Sequence, residues 1–169
     1  EAIARWAHSV GPDVPRSVEL MFLVSHKTVF VKGPGITVVA PVFADSCSDA
    51  RRDVAFMKSR PKGARVALPL IPTRLGAMTA KAMEHYPTGA NYAVDNMWTH
   101  APVDALLPGL KRIADGLPAA PSHMLWMNWA PPKTRADMAY SLDDDIYIAC
   151  YGIWQRKEDE AASRTWALD

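Results

Sequence analysis

Only two cysteines occur among the 169 residues, Cys47 and Cys150. They stand far apart, without the short paired spacing of zinc ligands or a redox dithiol. Two reduced thiols in a cytoplasmic protein are therefore expected. Long apolar runs are also missing. The longest, Gly35 to Ala44, falls well short of the ~18 residues of a membrane span and reads as a strand. No basic start with an apolar stretch and a small-residue cleavage site marks a signal peptide. An excess of one charge is absent too. The net charge is +1, and the basic residues are scattered rather than striped with aromatics, which excludes nucleic acid and a membrane surface as expected partners. There is no Gly-x-Ser-x-Gly, no phosphate-cradling glycine loop and no Cys-x-x-Cys. His8, His26, His85, His100 and His123 are isolated, so no metal site is expected. Asp143-Asp144-Asp145 reads as a solvated turn, because no other oxygen ligands keep a cation-binding spacing.

What is present is an ordinary core-forming composition, 49% apolar and 22% charged. It implies one globular domain over residues 1–169. The chain begins at Glu1 and ends at Asp169 within a helical pattern, which suggests a piece of a longer polypeptide. Ile3, Trp6, Ala7 and Val10 repeat at helical spacing up to Gly11-Pro12. Val18 to Ser25 and Ile36 to Ala44 read as a hairpin around the turn Lys32-Gly33-Pro34-Gly35. Asp45 or Ser46 caps a helix with Ala50, Val54 and Met57 on one face. A short strand is expected over Arg65 to Ile71, and a helix capped by Thr73. Asn91 to Thr99 is a strand. Val103, Leu106, Leu107, Leu110, Ile113 and Leu117 form the buried stripe of a helix that ends at Gly116. Ser122 to Trp129 and Ile146 to Trp154 are strands, and a helix starts near Lys157. This order predicts an α+β fold: a broad, mostly antiparallel sheet with helices on one face.

The other face then needs a cover or a function. Strand alternation groups Met124, Trp126 and Asn128, and separately Tyr147, Ala149, Tyr151 and Ile153. Ile146, Ile148, Cys150 and Gly152 suit packing under helices. Trp126, Asn128, Tyr147 and Tyr151 are therefore expected to share the open face. Such an aromatic surface with a few polar atoms suits a flat organic ligand, although the same residues also suit a core or a domain interface.

Three stretches, taken in order, resemble the berberine-bridge-enzyme-like family of FAD-linked oxidases. The first is His85-Tyr86-Pro87-Thr88-Gly89-Ala90-Asn91-Tyr92, continuing through Trp98 to the helix Pro102 to Leu117. It is similar to that family's Pro-Pro-Gly turn, Tyr-Tyr-Trp-Lys-Ser-type strand and amphipathic helix. The second is Met124 to Pro132. The third is Met138-Ala139-Tyr140-Ser141 followed by Ile146 to Trp154 and Glu158-Asp159-Glu160. The resemblance implies a substrate-binding domain whose open face roofs the isoalloxazine ring of FAD. It also implies that FAD is held mainly by another domain of the same polypeptide, and that a small organic substrate is oxidised by hydride transfer to the flavin. The family's strand lysine aligns with Asp95, which makes Asp95 the candidate catalytic base, with Trp126, Asn128, Tyr147 and Tyr151 as the substrate wall. A slip of one residue in that alignment puts Asn96 in the pocket instead. The family's Gly-Gly-Ala and Pro-His-Arg segments are replaced here by Trp129-Ala130-Pro131 and Ser141-Leu142-Asp143. The alternative is a stand-alone ferredoxin-like ligand-binding or dimerisation domain, with a second copy covering the exposed sheet face as a homodimer.

Overall fold

The structure, a computed structural model, describes residues 1–27, 32–63, 69–129 and 144–169. Of the strand expected over Arg65 to Ile71, Arg65 to Leu68 lie outside the described residues and Pro69 to Ile71 are not in a strand; Ala130 to Pro132 and Met138 to Asp143 also lie outside the described residues. The elements are α1 (Ala2–Val10), β1 (Met21–Lys27), β2 (Lys32–Val39), α2 (Cys47–Asp53), α3 (Leu75–Met83), β3 (Asn91–Thr99), α4 (Val103–Asp115), β4 (His123–Asn128), β5 (Ile146–Trp154) and α5 (Glu160–Leu168). The five strands form one antiparallel sheet in the order β2-β1-β4-β5-β3, which is the predicted α+β class.

In an antiparallel sheet, residues directly opposite one another share a face. One face carries Phe22, Trp126 and Ile148 in register, with Met124, Cys150 and Ile146 on the same side. It packs under Ala4, Trp6 and Ala7 of α1, Leu107 of α4 and Ala167 of α5. Trp126 is fully buried and stacks on Phe22 at 5.4 Å between ring centroids. Burying a large apolar side chain contributes roughly 1.5–3 kcal/mol, so this layer dominates the stability of the fold. The α4 stripe from Val103 to Leu117 joins it as the sequence predicts. Gly152 lets α5 approach closely: a methyl group there would collide with the Ser163 carbonyl oxygen.

Two local expectations are corrected. Lys32 to Gly35 is not a turn but the start of β2, with Ser25 opposite Gly35. β2 is an edge strand, where the missing N–H of Pro34 is tolerated. Thr73 does not cap α3. Its hydroxyl bonds the Ile71 carbonyl at 2.9 Å, and Arg74 occupies the cap position. Ser46 caps α2 as expected, accepting from the Asp49 N–H at 3.1 Å.

Among the described residues, no helix is long and apolar enough to cross a membrane. Cys47 is exposed, Cys150 is buried, and both are free thiols.

Candidate functional site

The face opposite the helices carries Tyr147, Ala149, Tyr151 and Ile153 from β5. In register beside them lie His123, Leu125 and Met127 from β4, and Tyr92, Val94, Asn96 and Trp98 from β3. Tyr92, Val94 and Trp129 remain 39–40% exposed.

The five residues expected to form one site divide between the two faces. Tyr147 and Tyr151 do lie on the open face. Trp126 and Asn128 lie on the helix side, in register with Ile148 and Ile146. Asp95 is opposite Cys150, so it too belongs to the helix side, together with Ala93 and Met97, at the exposed margin of the edge strand. The expected common face is thus corrected. Of the two neighbours Asp95 and Asn96, it is Asn96, opposite Ala149, that lies on the open face. Period-two alternation makes the reason simple, since a slip of one residue moves a whole strand's side chains across the sheet.

Asn128 shows what it does instead. Its Oδ1 accepts the Trp126 indole N–H at 3.0 Å, and its Nδ2 donates to the Ala7 carbonyl at 3.2 Å. It satisfies a buried indole and joins α1 to the sheet. Asp95 Oδ1 accepts the Asn96 backbone N–H at 2.8 Å. Its charge, after burial itself, helps push the Cys150 thiol up to about 11, which keeps that thiol protonated.

The open face has its own polar organisation. His123 and Tyr151 are directly opposite on adjacent strands, and their rings stack at 4.8 Å. From the turn after α3, His85 and Tyr86 fold onto them. Tyr86 meets the rings of His123 and Tyr151 edge-on at 5.2 Å each, and His85 meets His123 at 5.5 Å. His123 Nδ1 lies 3.0 Å from the Pro121 carbonyl oxygen. A carbonyl only accepts, so Nδ1 carries the proton. Nε2 is then an acceptor for the Tyr86 hydroxyl, 3.4 Å away. Burial pushes the His123 imidazole down to about 4, with His85 adding to the effect, so the ring is neutral at physiological pH. Burial raises the Tyr86 and Tyr151 phenols above their ordinary value, so both keep their protons.

At the other end of the face, Trp98 is tilted against Tyr147 at 4.8 Å and meets Trp129 edge-on at 5.7 Å. The result is a row of two aromatic clusters, Tyr86 with Tyr151 and His123 at one end and Tyr147 with Trp98 and Trp129 at the other. Sequence reasoning missed His123 and the folding back of His85 and Tyr86. The parity of β4 was the available signal, because His123 alternates with the buried Met124.

Among the described residues, no group of three or more His, Cys, Asp or Glu side chains is placed to hold a metal ion. A crevice lined by His8, Gly11, His100, Asn128, Trp129 and Asp145 opens at the end of β4. There His100 Nδ1 pairs with Asp144 at 2.6 Å, which raises the imidazole's pKa.

No family model and no curated protein sequence matches this chain. Among solved structures, the crystal structure of Phl p 4, a grass pollen allergen with glucose dehydrogenase activity, is similar with a TM-score of 0.55 at 10% identity. The match covers 97% of this chain and 35% of the allergen, so the chain spans about a third of the length of the protein it resembles. At this identity the likeness is one of fold, and the α+β architecture is common to the two.

Proposed function

We propose that this chain is the substrate-facing domain of a flavin-dependent oxidoreductase. Its open sheet face would be the wall against which a small organic alcohol, amine or related compound is held. The aromatic row from Tyr86 to Trp129 carries this reading, since it offers flat apolar area with hydroxyl groups at one end. Two further observations support it: the order of motifs resembling berberine-bridge-enzyme-like oxidases, and the likeness in fold to a protein with glucose dehydrogenase activity.

The residues fit one part of FAD and not the rest. The row can lie beside a planar ring system, but the described residues include no glycine-rich phosphate cradle. Phosphate and ribose would be held by another domain of the same polypeptide. Bound flavin would supply the hydride acceptor. This chain's part is to stack the substrate, exclude water from it and orient its polar group toward Tyr147 and Tyr151. Asn96, in place of Asp95, adds an amide to that face from β3.

The test is to purify the protein with its native flanking sequence and record its absorbance. A flavin band that bleaches anaerobically on addition of substrate is expected. A colourless native protein would overturn the reading.

A further inference from the structure

Two main-chain hydrogen bonds fix the direction of all the others across the sheet. Asn128 donates its N–H to the Leu20 carbonyl on the β1 side, and Trp129 donates to the Asp145 carbonyl on the β5 side. Successive residues of a strand alternate in this respect, so His123, Leu125 and Met127 bond toward β5. Their opposites Tyr151, Ala149 and Tyr147 bond back to β4, which leaves Ile148, Cys150 and Gly152 to bond β3. On β3 the residues opposite those three are Met97, Asp95 and Ala93. Val94 and Asn96 therefore direct their main-chain groups outward, along the edge of the sheet, as do Tyr92 and Trp98. One bond agrees with this directly: the Asn96 N–H is taken by Asp95 Oδ1, at 2.8 Å, and not by β5.

The two edges of the sheet, as the described residues form it, are unlike. β2 contains Pro34, and its pairing with β1 slips between Ser25 and Lys27. β3 keeps one register over its 9 residues, has no proline, glycine or lysine, and exposes Tyr92, Val94 and Met97. Such an edge pairs readily with another strand unless something prevents it. Antiparallel pairing of two β3 strands in full overlap sets Val94 opposite Asn96 of the second copy, Tyr92 opposite Trp98, and Asp95 opposite Asp95. Val94 and Asn96 would exchange the hydrogen bonds. The central aspartates then form a non-hydrogen-bonded pair, whose Cα atoms lie only about 4.5 Å apart. Like charges directly opposite one another are destabilising. Registers that keep the two faces matched but avoid this clash overlap less. We infer that Asp95 guards the β3 edge: its carboxylate, held over the Asn96 N–H at the middle of the strand, keeps a second copy of this chain from pairing there. The inference uses the register of the sheet alone and stands apart from the flavin reading.

The experiment compares the parent chain with Asp95→Asn, which removes the charge and little else, and with Asp95→Glu, which keeps a charge on the edge. Self-association is followed by sedimentation, and the edge by hydrogen exchange at the Val94 and Asn96 amides. Asp95→Asn is expected to associate about tenfold more tightly than the parent. Its Val94 and Asn96 amides should gain protection as the concentration rises, whereas association through the open face would leave them unchanged. Asp95→Glu should behave as the parent does. Adding Asn96→Pro to Asp95→Asn removes an N–H that points at the neighbouring strand, and should return association to the parent level. If that double variant does not fold, amide exchange in Asp95→Asn decides alone. Three results would each overturn the assignment: Asp95→Asn associating no more tightly than the parent, tighter association without protection of those amides, or Asp95→Glu associating as Asp95→Asn does.

Discussion

Asn128 ties three parts of the fold together through one amide. It caps the buried indole N–H of Trp126, donates to the Ala7 carbonyl near the end of α1, and its own backbone N–H bonds the Leu20 carbonyl at 2.8 Å. Asn128→Ala leaves the first two groups without protein partners beside the crevice at the end of β4. An orphaned buried polar group costs about 1–3 kcal/mol, so the variant should lose roughly that much stability in a denaturant titration. An unchanged midpoint would mean that water replaces the amide. His123 makes a second prediction at this scale. Its pKa is lowered from 6.5 to about 4 in the folded chain. Between those values the unfolded chain holds a proton that the folded chain rejects. The stability gained from the neutral ring is complete above pH 6.5, falls as the pH drops toward 4 and levels off below that. The full swing is about 3 kcal/mol. His123→Phe should flatten this part of the profile relative to the parent chain, as measured by denaturation midpoints across the range. A profile that keeps its slope would assign the loss to other groups.

Among the elements, the contact of α5 with β5 is the least forgiving. Gly152 faces the Ser163 backbone carbonyl, which cannot rotate away as a flexible side chain would. Gly152→Ala therefore has to push α5 outward, and overpacking of this kind costs typically about 1–3 kcal/mol. The Trp166 bond to the Ile113 carbonyl, 2.9 Å long, should weaken with it, because Trp166 sits on the same helix. A shift of the Trp166 fluorescence together with a lower midpoint is expected. A variant as stable as the parent would show that the two elements can slide apart. β3, β5 and the α4 stripe were legible because periodicity and turn residues agree there, from Asn91 to Thr99 and from Val103 to Gly116. β2 was misplaced because Pro34 and its flanking glycines look like a turn until the strand is known to lie at an edge. The site was half legible. Tyr147 and Tyr151 alternate with the apolar Ile146, Ile148 and Cys150, which marks their face. Trp126 and Asn128 looked like a pocket because one is aromatic and the other polar. Alternation gives the two faces of a strand, but which face is covered depends on register with its neighbours and on the helix that arrives, here α1 with Trp6 and Ala7.

Across the whole molecule, apolar side chains are unevenly buried. The helix side closes over Trp126 and Phe22, while Val39, Tyr92, Val94 and Trp129 on the other face stay more than a third exposed. Leu70, Ile71, Leu75 and Met83, in and just before α3, are also exposed, and α3 buries none of its residues. A monomer rarely shows a contiguous apolar patch beyond a few hundred Å². The chain on its own is therefore expected to bind a hydrophobic dye and to self-associate as its concentration rises. Sedimentation with and without Trp129→Ser and Val94→Thr tests which surface is responsible. If the open face drives association, the double variant shifts the chain toward monomer and lowers dye fluorescence. If association is unchanged, α3 and its exposed leucine and methionine are the responsible surface. The same chain should retain no FAD when mixed with it and desalted, because an aromatic wall offers area to the flavin ring but nothing to its phosphates. Micromolar quenching of FAD fluorescence by the isolated chain would contradict the division of labour proposed between this domain and the one that holds the cofactor.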